Sequence, residues 1–120
     1  MSCPTVNIEV CQGADFVEEF LIEDDEGSPL DITGYDDLRA ELRSGVHGPT
    51  GDLQATATVT IVGSGTEGTV EVFIAHADTY AITEATGWWT LQIEKTSTAK
   101  TRQTVAAGTY TLAPTTISSP

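Results

Sequence analysis

Basic residues are scarce in this chain of 120 residues: five Lys and Arg stand against 18 Asp and Glu, which gives a formal net charge of −13. A surface that binds nucleic acid needs basic side chains to displace the counterions of the phosphates. An anionic membrane surface attracts the same kind of side chain. The composition therefore argues against nucleic acid and membranes as partners and favours a neutral or basic one.

Cysteine is also rare, since only Cys3 and Cys11 occur. If both lie on one extended segment, their Cα atoms are roughly 26 Å apart, whereas a disulfide needs Cα atoms within about 7 Å. We therefore predict two free thiols and synthesis in a reducing compartment, with an interchain bond as the minor alternative.

Long apolar runs are absent as well. The N-terminal residues lack the basic and apolar regions of a signal peptide, so none is expected. No apolar run approaches the roughly 20 residues of a membrane-spanning helix.

What the chain does contain is a series of short runs in which apolar and polar residues alternate, a period that is typical of β-strands. Residues 38–43 also suit a helix by composition, but the period of two favours a strand. The predicted strands are 5–10, 16–23, 30–34, 38–43, 53–62, 69–75, 87–95 and 101–112. The predicted core consists of Ile8, Phe20, Leu42, Val59, Ile61, Val72, Trp89, Leu91 and Ile93.

Seven or eight short strands at even spacing predict an all-β fold, a single antiparallel β-sandwich of immunoglobulin-like type. This domain covers residues 1–114, and residues 115–120 form a C-terminal tail. Residues 24–29 (DDEGSP) predict an acidic turn. Residues 76–86 lack the strand period, and we expect one helical turn there, capped by Asp78 or Thr79.

Three motifs suggest chemistry, and each has a simpler interpretation. Residues 63–68 (GSGTEG) match G-x-G-x-x-G, but a strand follows where a dinucleotide site needs a helix, so we interpret them as a hairpin loop. Cys3, Cys11, His47 and His76 could supply zinc ligands, but their spacing does not fit a zinc finger. Asp24, Asp25, Glu26 and Asp31 could surround Ca²⁺, but a solvated acidic turn fits the spacing better.

No motif supplies an activated nucleophile, so we expect neither catalysis nor a cofactor nor a bound metal. The adjacent residues Trp88 and Trp89 are more informative. Neighbours on a strand face opposite sides, so if Trp89 is in the core, Trp88 points outward. An outward tryptophan is a common interface anchor; the alternative is that a loop or the tail covers it.

Several segments together resemble a known family. They are residues 12–16 (QGADF), 23–29 (EDDEGSP), 30–35 (LDITGY), 39–43 (RAELR), 68–72 (GTVEV), 87–94 (GWWTLQIE) and 106–114 (AAGTYTLAP). Their order resembles the immunoglobulin-like N-terminal domain of phage baseplate upper proteins and related tail-fibre attachment modules. The resemblance covers roughly residues 7–114.

The resemblance implies a non-enzymatic virion structural protein, made in the host cytoplasm, that assembles in the tail, baseplate or fibre-attachment region. It implies other virion proteins as partners and a homo-oligomer, with a trimer as the expected state. A capsid cement or decoration protein is the alternative, and a small-ligand or sugar-binding sandwich is a weaker one. We also expect the last strand to form an open sheet edge. The residues predicted to contribute to the contact are Trp88, Thr90, Arg102, Tyr110, Leu112 and Ile117.

Overall fold

The computed structural model describes residues 5–24, 26–45, 51–95 and 102–113. Predictions that fall on Cys3, Asp25, His47, Ile117 and the tail lie outside these residues. The elements are β1 (Ile8–Cys11), β2 (Phe16–Leu21), β3 (Asp37–Ser44), β4 (Leu53–Ile61), β5 (Thr69–Ile74), α1 (His76–Tyr80), β6 (Thr86–Glu94) and β7 (Gln103–Ala113).

The strands form one hydrogen-bonded sheet in the order β1-β7-β6-β3-β4-β5-β2. The run β7-β6-β3-β4 has the G-F-C-C′ order of immunoglobulin variable-type sheets, and β5-β2 has the E-B order of the opposite sheet. Pairing between β4 and β5 joins the two halves. All pairs are antiparallel except β1 with β7, which is parallel. The chain is therefore an all-β, immunoglobulin-like fold with seven strands in the described residues.

The sheet folds over on itself to enclose the core. Phe20 of β2 and Trp89 of β6 belong to opposite halves, yet their ring centroids lie 5.1 Å apart. Of the nine predicted core residues, six are buried and three are partly buried against the core, the latter being Phe20, Val59 and Ile61. The period of two in the sequence therefore identified the inner side of β1 to β6 correctly.

Three predictions about local structure were wrong. The last strand is not a sheet edge, because β7 lies between β1 and β6. Residues 30–34 form no strand, and only an isolated bridge joins Glu23 to Pro29 nearby. Neither Asp78 nor Thr79 caps α1: its N-cap is Ala75, with no side-chain cap. The carboxylate of Asp15 accepts the hydrogen bond of the His76 N–H instead, at 2.7 Å.

Thr79 is fully buried, and its hydroxyl group connects α1 to the turn between β1 and β2 by hydrogen bonds. Its Oγ1 donates toward the carbonyls of Ala14 (2.8 Å) and His76 (3.0 Å). The same oxygen accepts a hydrogen bond from the N–H of Gly13, at 3.1 Å. One hydroxyl thus serves three backbone groups.

Replacing Thr79 by valine, which has the same shape, should lower the free energy of unfolding by about 1–3 kcal/mol, because the Gly13 and Ala14 backbone groups lose their partner while they stay partly buried. Urea denaturation followed by circular dichroism measures the change. Thr60→Val, on the exposed side of β4, is the matched control and should be nearly neutral. Equal stability of the two variants would contradict this role for Thr79.

Candidate contact surface

The outward sides of β3 and β6 form one continuous surface with Arg102, the residue just before β7, because β7, β6 and β3 are neighbours in the sheet. Trp88 pairs with Arg43 on one side and with Thr109 on the other. The next outward residue of β6, Thr90, pairs with Glu41. We name this surface the arginine face and define it as Asp37, Arg39, Glu41, Arg43, Trp88, Thr90, Gln92, Glu94 and Arg102.

The arginine face contains every arginine of the sequence and three of its 18 acidic residues. Arg39 lies 2.7 Å from Asp37, and Arg43 lies 3.2 Å from Glu41. The hydrogen bond to Asp37 raises the pKa of the Arg39 guanidinium. Because cations and carboxylates balance here, this face is close to neutral in a chain whose net charge is −13.

Arg102, which immediately precedes β7, contacts side chains of β6 and β3. Its Nη2 lies 2.6 Å from Glu94 Oε1 and 3.8 Å from Asp37 Oδ2. Its Nη1 donates to Gln92 Oε1 at 3.3 Å. Side chains held in a network of this kind lose less conformational entropy when a partner orders them further.

Among the predicted contact residues, the structure brings Trp88, Thr90 and Arg102 to one face. Trp88 is partly exposed, as strand parity predicts. Trp89 is 1% exposed and donates from Nε1 to the Val6 carbonyl at 2.6 Å. Whether a partner contacts this face stays a prediction.

The prediction that Tyr110 and Leu112 belong to the contact surface was wrong. Both lie on the core side of β7, at 0% and 9% exposure. The Tyr110 hydroxyl donates to the Glu84 carbonyl at 2.9 Å, and burial raises its pKa above the ordinary value. Their side chains pack inside this fold and present almost no surface to a neighbour.

Sequence reasoning missed Arg39, Glu41 and Arg43 as surface candidates. Their alternation with Leu38, Ala40 and Leu42 placed them on the outer side of a strand, but nothing local showed that this strand lies beside Trp88. A signal was nevertheless present: all three arginines and the outward tryptophan fall on outward positions of predicted strands.

The glycine-rich residues 63–68 form the loop between β4 and β5, as predicted, and this loop packs on the residues before β3. The Gly65 carbonyl accepts the N–H of Ile32 at 2.9 Å. Gly65 and Gly68 have φ angles of 90° and 74°. A Cβ on Gly68 would lie 2.6 Å from the Ile22 carbonyl oxygen, so the motif serves a tight turn and a close backbone approach.

The acidic turn is built by its own carboxylates. Asp24 Oδ1 accepts the N–H groups of Glu26 (2.9 Å) and Ser28 (3.0 Å). Hydrogen bonds from Thr33, first from its side chain, lower the pKa of Asp31. These contacts account for Asp24 and Asp31 as turn formers.

The proposed ligand sets do not come together in the described part of the chain. No group of three or more His, Cys, Asp or Glu side chains among residues 5–24, 26–45, 51–95 and 102–113 is arranged to hold a metal ion. Cys11 is a free, exposed thiol, and the ring of His76 lies 3.1 Å from Asp15. Across the same residues, no helix is long and apolar enough to cross a membrane.

Comparison with known proteins gives distant structural likenesses. No protein-family model matches the chain, and no curated protein matches it. Its fold is similar to the extracellular domain of the voltage-gated sodium channel beta4 subunit, described as a parallel homodimer in cell-cell adhesion, with 9% identity over 96% of each chain and a TM-score of 0.41. It is also similar to the second Ig domain of the mouse polymeric immunoglobulin receptor, with 11% identity over 97% of this chain and 99% of that one and a TM-score of 0.40.

Proposed function

We propose that this chain is a non-enzymatic structural module of a tailed-phage particle, placed in the tail, baseplate or fibre-attachment region. The arginine face is its contact surface toward other virion proteins or further copies of itself. A trimer is the proposed state of self-assembly. The observation that carries the proposal is the coincidence of a partly exposed tryptophan with every arginine of a strongly acidic chain.

Interface composition supports this choice of surface. Interface cores are enriched in Trp and Arg and depleted of Lys, Glu and Asp relative to other surface. Elsewhere the outer surface is predominantly acidic, and two such surfaces repel when they meet. A near-neutral face that carries Trp88 at one end is therefore where two subunits can approach most closely.

The proposed location rests on the resemblance of residues 7–114 to phage baseplate and fibre-attachment domains. The immunoglobulin-like fold is compatible with that resemblance, since both describe one small β-sandwich. A capsid decoration protein would share the fold and the need for an adhesive face, and the location in the particle separates the two.

Trp88→Ala tests the contact. Truncating a buried interface anchor usually costs about 2 kcal/mol or more, roughly a thirtyfold loss of affinity. We expect the variant to be outcompeted by the parent chain when particles are assembled with both, and to lose oligomer mass in light scattering at matched concentration. Mass spectrometry of purified particles gives the ratio of variant to parent.

Phe73→Ala is the matched control, because Phe73 is also a partly buried aromatic residue on the outer side of its strand, and it lies on β5 in the other half of the sheet. It should be incorporated like the parent chain. If Trp88→Ala folds, keeps its oligomer mass and enters particles as efficiently as Phe73→Ala, the arginine face is not the contact surface.

A further inference from the structure

In the described residues the sheet has two edge strands, β1 and β2, and β2 is the longer. It pairs only with β5. The N–H of Ile22 donates to the Gly68 carbonyl at 2.8 Å, in the register that continues the pairing of β2 with β5. Backbone groups alternate in direction along a strand. The N–H and C=O groups of Val17, Glu19 and Leu21 therefore point away from β5, and no strand in the described residues pairs with them.

The outward side chains of β2 are unusually apolar for an open edge. Val17 and Leu21 are 55% and 54% exposed, the two most exposed large hydrophobic residues in the described part of the chain. Val17 lies beside Phe73 of β5, which is itself only partly buried. Proteins usually protect open edges with charge or proline, whereas here apolar side chains stand at both ends of the strand.

Between those apolar residues the edge carries acidic side chains whose negative charge no basic side chain balances in the described part of the chain. Glu19 pairs directly with Glu71 of β5, and like charges directly opposite one another destabilise a sheet. Neither carboxylate forms an ion pair with any residue that the structure describes, and the same holds for Glu18. A cation placed opposite Glu19 would relieve the repulsion.

A second copy of the chain is a poor occupant of this edge. Antiparallel pairing of two β2 strands through this edge, centred on Glu19, would set Glu19 directly against Glu19 of the other copy. Glu18 also occupies a core-side position, opposite Val72, yet is exposed. An inward charge at an edge strand is a known protection against pairing between copies.

We propose that β2 accepts an extended strand of a different protein, and that this strand carries adjacent basic residues flanked by apolar ones. Backbone hydrogen bonds to Val17, Glu19 and Leu21 would supply affinity, as in other cases of strand addition. Apolar side chains opposite Val17 and Leu21, with basic side chains opposite Glu18 and Glu19, supply selectivity. The site lies in the other half of the sheet from the arginine face and is independent of the function proposed above.

The probe is a blocked synthetic peptide, acetyl-Thr-Val-Thr-Lys-Lys-Val-Thr-amide, titrated into the ¹⁵N-labelled full chain and followed by NMR. In antiparallel register it sets its two valines opposite Val17 and Leu21 and its lysines opposite Glu18 and Glu19. We expect the largest shifts at the amides of Val17, Glu19 and Leu21. The same peptide with Glu-Glu in place of Lys-Lys should bind at least tenfold more weakly.

Glu19→Pro is the sharpest variant, because it removes a donor that points away from β5 and leaves the ladder between β2 and β5 intact. Loss of that hydrogen bond and of the charge should weaken peptide binding about tenfold. Glu19→Lys keeps the N–H and should largely remove the preference for the Lys-Lys peptide over the Glu-Glu peptide, because each peptide then meets one like and one opposite charge. This variant gives a second test should the proline variant not fold. Glu9→Lys, exposed on the opposite edge strand β1, should change binding less than twofold.

Shifts that map to β1 or to the arginine face would overturn the proposal. Affinity unchanged by both Glu19 variants would overturn it too, as would an absence of binding at millimolar peptide.

Discussion

Replacing Trp89 by alanine is expected to lower the free energy of unfolding by about 3–5 kcal/mol, the usual cost of removing a large buried aromatic ring. Trp89 is 1% exposed and packs against Phe20, which belongs to the opposite half of the fold. Its Nε1–H also satisfies the Val6 carbonyl ahead of β1. The substitution thus opens a cavity and leaves a carbonyl unpaired, against a total stability of about 5–15 kcal/mol for a domain of this kind.

The adjacent Trp88 provides a matched control, because it has the same side chain on the other side of the same strand. Trp88→Ala should cost about 1 kcal/mol or less. Urea denaturation followed by far-ultraviolet circular dichroism measures both variants without relying on tryptophan fluorescence. Similar costs for the two would contradict the assignment of inner and outer sides on β6.

Gly87→Ala is expected to cost roughly 2–4 kcal/mol, because the added methyl group has no space. A Cβ at this position would lie 2.2 Å from the Arg43 carbonyl oxygen and 2.4 Å from Cε2 of Tyr110. Tyr110 pairs directly with Gly87, and its ring covers the site where a side chain would be. Either β3 or the Tyr110 ring must move, and the hydrogen bond from Tyr110 to the Glu84 carbonyl is then strained.

Gly34→Ala separates this steric effect from the conformational preference of glycine. Gly34 has a φ of 94°, and a Cβ there would meet no atom within 4 Å. Its substitution should cost only about 1 kcal/mol, the penalty for a left-handed backbone. Thermal unfolding of the two variants compares them, and a larger loss for Gly34→Ala would contradict the packing described at Gly87.

Alternation in the sequence predicted the strands well, because burial on one side of a sheet imposes a period of two. β4 was predicted as residues 53–62 and is Leu53–Ile61, and β6 was predicted as 87–95 and is Thr86–Glu94. The strand at β3 was correctly preferred to a helix. In these segments local pattern and tertiary burial agree.

Strand order could not be read from local pattern, because pairing joins residues far apart in sequence. β7 was expected at an edge since it is the last strand, yet β1 returns to pair with it in parallel. That single pairing buried the predicted edge and, with the core position of Tyr110 and Leu112, changed the candidate surface. It also left β2 as the longer open edge, which sequence reasoning did not identify.

Side-chain contacts that were not predicted also join residues far apart in sequence. Asp15 binds the N–H of His76 from the turn between β1 and β2, so α1 needs no cap from its own residues. Arg43 and Trp88 pair across strands separated by more than 40 residues. Charge and aromatic positions were visible in the sequence, but their meeting on one face depends on the β3–β6 pairing.

A reconstruction of purified particles by electron cryo-microscopy would show where this chain lies and which surface it uses. We expect density for this fold in the tail, baseplate or fibre-attachment region, with the arginine face in contact with a neighbouring subunit and Trp88 buried there. Absence of the chain from the particle, or its presence with Trp88 facing solvent, would contradict the proposed function.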